Sequence, residues 1–191
     1  MPSSNGNRIL GVDPGLNITG YAVIEPGSPG PRLCEAGIIR GAENRTKAGM
    51  ADRLRCLYDG IVEVLEQFHP QVMVVEQLYA HYDHPRTAIL MAHARGAIML
   101  AGAQRGLPVV SYNATQVKKI ITGAGRASKE QVQRAMQREL NLAKLPEPPD
   151  VADALAVALC HYYLSKQSNG SEEIKTGHKE HKANTKSTEK T

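Results

Sequence analysis

An α/β fold is what the order of apolar patterns in this chain predicts, and three observations carry it. Arg8 to Glu25, RILGVDPGLNITGYAVIE, reads as a buried strand, a tight turn at Pro14-Gly15 and a second strand rich in β-branched and aromatic residues. Gln71 to Val75 holds a second compact apolar strand, VMVV. Stretches with helical spacing stand on either side of that strand and close the chain.

Taken in order, strand one is Arg8 to Asp13 and strand two about Thr19 to Glu25. GSPGP, from Gly27 to Pro31, is a loop, and Arg32 to Arg40 completes a meander. Thr46 to Phe68 carries Met50, Leu54, Leu57, Ile61, Val64, Leu65 and Phe68 at helical spacing, ending before His69-Pro70. The Gln71 to Val75 strand ends on Glu76. Tyr79 to Arg86 is a loop or helix entry, and Thr87 to Arg105 is a second long helix rich in Ala and Gly. Leu107 to Ser111 is the last strand. Helices follow over Asn113 to Thr122 and Ser128 to Leu140, the latter opened by an N-cap at Ser128. LPEPP, Leu145 to Pro149, is a rigid break before a closing helix over Asp150 to Leu164.

A chain of 191 residues is enough for one domain with a proper core, and 41% hydrophobic residues is ordinary for a globular protein. No apolar run approaches a membrane span, and the first residues, MPSSNGNR, show no secretory h-region. Cys34, Cys56 and Cys160 are odd in number, form no CxxC pair and fit a reducing, cytoplasmic setting. The reading divides the chain into a flexible 1–7, a body over 8–165 and a polar tail over 166–191 expected to be disordered, with Ile174 its only large apolar residue. Of the net charge of +4, half lies in that tail, where six lysines face four glutamates.

The chemistry points to four acids. Asp13 and Glu76 each end a buried strand, where an ionised carboxylate is costly unless a partner or metal compensates it. Sites in open α/β sheets collect at the carboxyl ends of strands. Asp150 and Asp153, three residues apart, share one face of the closing helix. Structure alone offers readings for three of them: a turn-initiating Asp13 before Pro-Gly, an N-cap Asp150 and a first-turn Asp153. Four acids converging on one sheet edge repel one another unless cations intervene, and hard oxygen ligands suit Mg²⁺ or Mn²⁺. Such a cluster fits phosphodiester hydrolysis.

LGVDPGLNITGYAVIE, VVEQLY, ARGAIML, VKKIITGAGRASKEQVQ and PPDVADALAVALCHYY resemble, in order and spacing, the RuvC-type Holliday junction resolvases. The resemblance runs from about Arg8 to Leu164. It implies a ribonuclease-H-like fold, a five-stranded mixed sheet flanked by helices. It implies a metal-dependent endonuclease that resolves four-way (Holliday) DNA junctions by paired nicks in recombination and repair. It also implies Mg²⁺ as cofactor, Mn²⁺ substituting, with two ions per site, and a homodimer working beside the RuvA-RuvB branch-migration complex. The family's catalytic and metal-holding carboxylates fall on Asp13, Glu76, Asp150 and Asp153. Its DNA-contacting lysines fall on Lys118 and Lys129, and its base-stacking aromatic falls on Tyr79, where many relatives have Phe.

Charge distribution agrees with a nucleic-acid partner. Lys118, Lys119, Arg126, Lys129, Arg134 and Arg138 fall within about two helices, with Glu130 and Glu139 the only acids over 118–139. A solvated helix face is the structural alternative, particularly for Arg134 and Arg138. His81, His84, His93 and His161 read as surface or packing residues. Two other function classes share parts of this pattern. Asp13-x-Gly15 followed by Thr19 also fits the first phosphate loop of actin-like kinases, but no second such loop follows. A non-catalytic DNA- or RNA-binding relative gains nothing from four acids facing phosphates.

Overall fold

Side-chain alternation sorts each strand between two cores, and the topology follows from it. In the computed structural model residues 7–42, 48–78 and 85–184 are described, with side chains as far as Gln167. β1 (Ile9–Asp13), β2 (Ile18–Glu25) and β3 (Arg32–Arg40) form the expected antiparallel meander. β4 (Val72–Gln77) joins the other side of β1 in parallel, and β5 (Val109–Asn113) joins β4 in parallel. The result is a mixed five-stranded sheet in the order β3-β2-β1-β4-β5.

The helices are α1 (Met50–Phe68), α2 (Pro85–Ala103), α3 (Ala114–Thr122), α4 (Lys129–Glu139) and α5 (Pro149–Asn184). Leu10, Val12, Val23, Met73 and Val75 pack on one face with Ile61, Val64 and Leu65 of α1 and Ile98 and Ala101 of α2. Ile9, Ala22, Ile24 and Val74 pack on the other with Leu155, Ala158 and Leu159 of α5, backed by Val132 and Met136 of α4.

Element boundaries differ from the sequence reading where backbone chemistry decides them. α1 starts at Met50 instead of Thr46, with Gly49 extended as its N-cap. β5 lies two residues further on than expected, because Gly106 turns the chain with a φ of 66° and only then do Val109 and Val110 pair with Met73 and Val74. α4 opens with a full capping box: Ser128 Oγ accepts from the Gln131 N–H (3.2 Å), and Gln131 Oε1 accepts from the Ser128 N–H (2.8 Å). α5 starts at Pro149, which puts Asp150 inside the first turn and not at the N-cap. It continues past Leu164 to Asn184, a stretch that contains no proline to stop it. Tyr79, His81 and His84 lie outside the described residues.

Candidate active site

Asp13 and Glu76 reach one site because of strand parity. Ile9 faces the α5 core and Leu10 and Val12 the opposite one, so Asp13 follows Ile9 and Gly11 onto the α5 side. Val74 faces α5 while Met73 and Val75 do not, so Glu76 follows Val74. The parallel register runs from Ile9↔Val72 to Val12↔Val75, and Asp13 and Glu76 are the next step along it.

Two glycines set α5 over that step. Asp13 pairs with Gly20 across the β1–β2 ladder. A Cβ at Gly20 would fall 2.1 Å from the Asp150 carbonyl oxygen, and one at Gly11 2.2 Å from that of Ala154. Their bare backbones let the first turn of α5, with Asp150 and Asp153, lie against the strand ends. The intervening turn is tied by Thr19, whose fully buried hydroxyl donates to the Gly15 carbonyl (2.8 Å) and accepts from the Gly15 N–H (3.2 Å).

The four carboxylates share a cleft of about 650 Å³ with Lys118, Lys129, Asn17 and Arg53. Lys118 stands on α3, whose N-terminus is capped by Asn113 Oδ1 accepting from the Gln116 N–H at 2.8 Å. Lys129 is the first residue of α4; its Nζ is 3.8 Å from Asp153 Oδ2 and its side chain is 71% exposed, so the pair is weak and the ammonium faces the cleft. Arg53 of α1 donates to Asn17 Oδ1 at 3.1 Å at the opposite wall. The basic stripe therefore splits: Arg134 is paired with Glu130 at 2.7 Å and lines a separate groove with Arg138. His161, read as structural, hydrogen-bonds Tyr112 at 2.9 Å in the core below.

Burial and mutual repulsion dominate the electrostatics. Asp13 is pushed from 3.8 up to about 8, first by burial and then by Glu76, Asp153 and Asp150, against a smaller pull from Lys129. Glu76 rises from 4.5 to about 7 through burial and Asp153, opposed by Lys118 and Lys129. Asp153 is also raised, by burial first, with Lys129 opposing. A site that raises several acids together is poised to take up cations.

A family model described as crossover junction endodeoxyribonuclease RuvC matches residues 9–161. The chain belongs to the RuvC family. A RuvC from Rhodopirellula baltica is 54% identical over 159 residues, covering 82% of this chain and 86% of its own. One from Moorella thermoacetica is 45% identical over 155 residues, covering 80% and 89%. The Thermus thermophilus RuvC structure aligns with a TM-score of 0.76 at 29% identity, covering 84% of this chain and 96% of that one. The same protein in complex with Holliday junction substrate aligns with a TM-score of 0.74 at 26% identity, covering the same shares. The fold is thus the RNase-H-like fold of RuvC, as the sequence resemblance implies.

RuvC nucleases are metal-dependent, and the donor set here fits a hard cation. The four carboxylates are oxygen ligands lining one cleft, and burial raises those of Asp13, Glu76 and Asp153, a state that a cation relieves. Among the described residues no three His, Cys, Asp or Glu side chains are gathered closely enough to hold an ion unaided.

The raised acids predict a pH dependence of stability. Folded Asp13 and Glu76 hold protons that the unfolded chain releases, so their contribution is fully present below about pH 4 and is lost as pH rises through about 7 to 8. Without divalent ions, the melting temperature is expected to fall by on the order of 5 °C between pH 5 and 8. Mn²⁺ added at pH 8 should restore it, and Asp13→Asn should flatten the profile. Differential scanning calorimetry across that range checks all three.

Proposed function

We propose that this chain resolves four-way DNA junctions by hydrolysing one phosphodiester in each of two opposed strands. The observation that carries the reading is the end of β1 and β4 beneath the first turn of α5, where four acids line one cleft flanked by two lysines. The RuvC of T. thermophilus, solved with a Holliday junction, supports the substrate.

In this reading Asp13, Glu76, Asp150 and Asp153 hold Mg²⁺, two ions per site, with Mn²⁺ able to replace it. When bound, such ions supply Lewis-acid and charge-neutralising chemistry for phosphodiester hydrolysis. The protein's residues do the rest. The strand ends and α5 hold the carboxylates at fixed separations, and Lys118 and Lys129 bring positive charge to the phosphate backbone. Tyr79, two residues after Gln77 in the sequence, is the aromatic that in this reading stacks on an unpaired base at the junction centre. The test is nicking of a synthetic four-way junction in Mg²⁺, set against linear duplex and ATP hydrolysis. Junction cleavage is the expected result; equal cleavage of linear duplex, or ATP turnover instead, would overturn the reading.

The lysines give a second test. Lys118→Ala and Lys129→Ala should each weaken junction binding and lower the salt slope by roughly one. At saturating protein, single-turnover cleavage should remain slower, because charge developing at the scissile phosphate has lost a cation. A mutant that binds weakly yet cleaves at the normal rate once saturated would limit that lysine to positioning DNA.

A homodimer suits two scissile strands related by a two-fold axis. α2 offers the face. Ala94, Ile98, Ala101 and Gly102 pack it inward, while Ile89 and Leu100 on its other side are 58% and 51% exposed. Ile89→Asp with Leu100→Asp should yield monomers by light scattering and unpaired nicks on a junction. A wild-type monomer making symmetric nicks would defeat the assignment. The branch-migration complex of RuvA and RuvB is the expected partner at the junction. Three free thiols fit a cytoplasmic address, and no described helix is long and apolar enough to cross a membrane.

A further inference from the structure

Beyond Val75, β4 loses β1 as a neighbour and keeps only β5, through the pairs Glu76↔Tyr112 and Gln77↔Asn113. At that point a side chain from α2 enters. Arg95 Nε donates to the Glu76 main-chain carbonyl at 3.2 Å, and its Nη2 donates to Ser111 Oγ of β5 at 2.6 Å. One guanidinium therefore ties the residue that bears the Glu76 carboxylate to the strand that leads into α3 and Lys118. Asn113, which caps α3, lies two residues beyond Ser111.

The chemistry of the contact separates Arg95 from the lysines of the cleft. The cations that pull the Glu76 carboxyl down are Lys118 and Lys129. Arg95 instead grips the main chain and a neutral hydroxyl. Its planar fork makes two bonds in fixed directions, which a lysine's single ammonium cannot copy. Those bonds fix the end of β4 where the ladder no longer does on the β1 side. A carboxylate whose backbone swings through even part of an ångström presents its oxygens differently to an ion.

We infer that Arg95 is a positioning residue for the reaction: it fixes the β4 terminus so that Glu76 meets the metal and the scissile phosphate in register with Lys118. The inference rests on Glu76 belonging to the metal-holding set, and it adds a residue that touches neither ion nor DNA.

The experiment compares wild type, Arg95→Gln, Arg95→Lys, Ser111→Ala and Glu76→Gln in the full chain. Three quantities are read: Mn²⁺ affinity of the protein without DNA by calorimetric titration, junction affinity by gel shift in Ca²⁺, and single-turnover cleavage at saturating junction against Mn²⁺ concentration. Outer-shell partners of metal ligands typically contribute about 10–100-fold to affinity or activity. Arg95→Gln is expected to weaken Mn²⁺ binding about tenfold and cleavage by about 10–100-fold, with partial recovery at high Mn²⁺ and junction affinity near wild type. Arg95→Lys should recover little, since charge is not what acts. Ser111→Ala should show a smaller loss in the same direction, and it keeps the test decisive if Arg95→Gln fails to fold. Mn²⁺ affinity within twofold of wild type in both Arg95→Gln and Ser111→Ala overturns the inference, even if the melting temperature falls, because a purely structural arginine moves only stability. If Glu76→Gln leaves Mn²⁺ binding and cleavage intact, the assignment of Glu76 fails first and the role of Arg95 falls with it. Full rescue by Arg95→Lys would replace positioning with simple charge.

Discussion

Asp13→Asn, Glu76→Gln, Asp150→Asn and Asp153→Asn are each expected to lower single-turnover junction cleavage by on the order of 10²–10³-fold or more, with junction affinity nearly unchanged. Asp13 and Glu76 stand at the ends of neighbouring strands, where Glu76 repels Asp13, and Asp153 is coupled electrostatically to both. Removing one charge therefore unbalances the whole cation-holding set, while the phosphate grip of Lys118 and Lys129 survives. Binding should even improve slightly at low metal, since a negative group leaves a cleft that receives phosphates. The metal-free Asp13→Asn protein should also melt higher at pH 8, because the amide removes an acid that burial and three like charges disfavour. That rise separates lost chemistry from misfolding. Gel shift, single-turnover cleavage and calorimetry on the same preparations check the prediction. Affinity falling in step with cleavage, or a lower melting temperature for Asp13→Asn, would count against the assignment.

The meander, the two strands that end on acids and the order of helices were legible in the sequence because the signals are local. VMVV followed by Glu76 and LGVD before Pro14-Gly15 mark a buried strand and the acid that ends it. Parity then decides which face the acid takes, and parity needs only one known neighbour. Boundaries governed by non-local packing were not legible. The start of β5 depends on which residues of Val109 to Asn113 find β4, and the first turn of α5 depends on how closely it seats on β1 and β2. The sequence reading of Asp150 as an alternative N-cap failed for that reason: Pro149 is already inside the helix. Arg95 was hidden because its partners are a main-chain carbonyl and a serine hydroxyl distant in sequence, which leave no residue-type signature. Gly11 and Gly20 did leave one. Isolated glycines on the same face of adjacent strands signal a backbone approaching from that side.

Gly20→Ala should turn that signal into a measured effect. The added Cβ would stand 2.1 Å from the Asp150 carbonyl oxygen and 2.5 Å from its carbon, both main-chain atoms that no rotamer change can withdraw. Ordinary van der Waals contact then requires the first turn of α5 to move out by about 1 Å, a displacement that can cost about 10²-fold in rate. Overpacking of this kind costs about 1–3 kcal/mol, or roughly 2–12 °C in a chain this long. The expected result is a folded protein that binds junction normally and cleaves about 100-fold more slowly at saturation. Gly11→Ala presses on Ala154 and Ala158 deeper under the helix, so its larger loss should be in stability. Gly30→Ala, where nothing lies within 4 Å of the new methyl, is the control and should behave as wild type. Calorimetry and single-turnover cleavage on the three variants distinguish the cases. A Gly20→Ala protein that cleaves at the wild-type rate would mean that the catalytic position of Asp150 and Asp153 does not depend on α5 lying against β2.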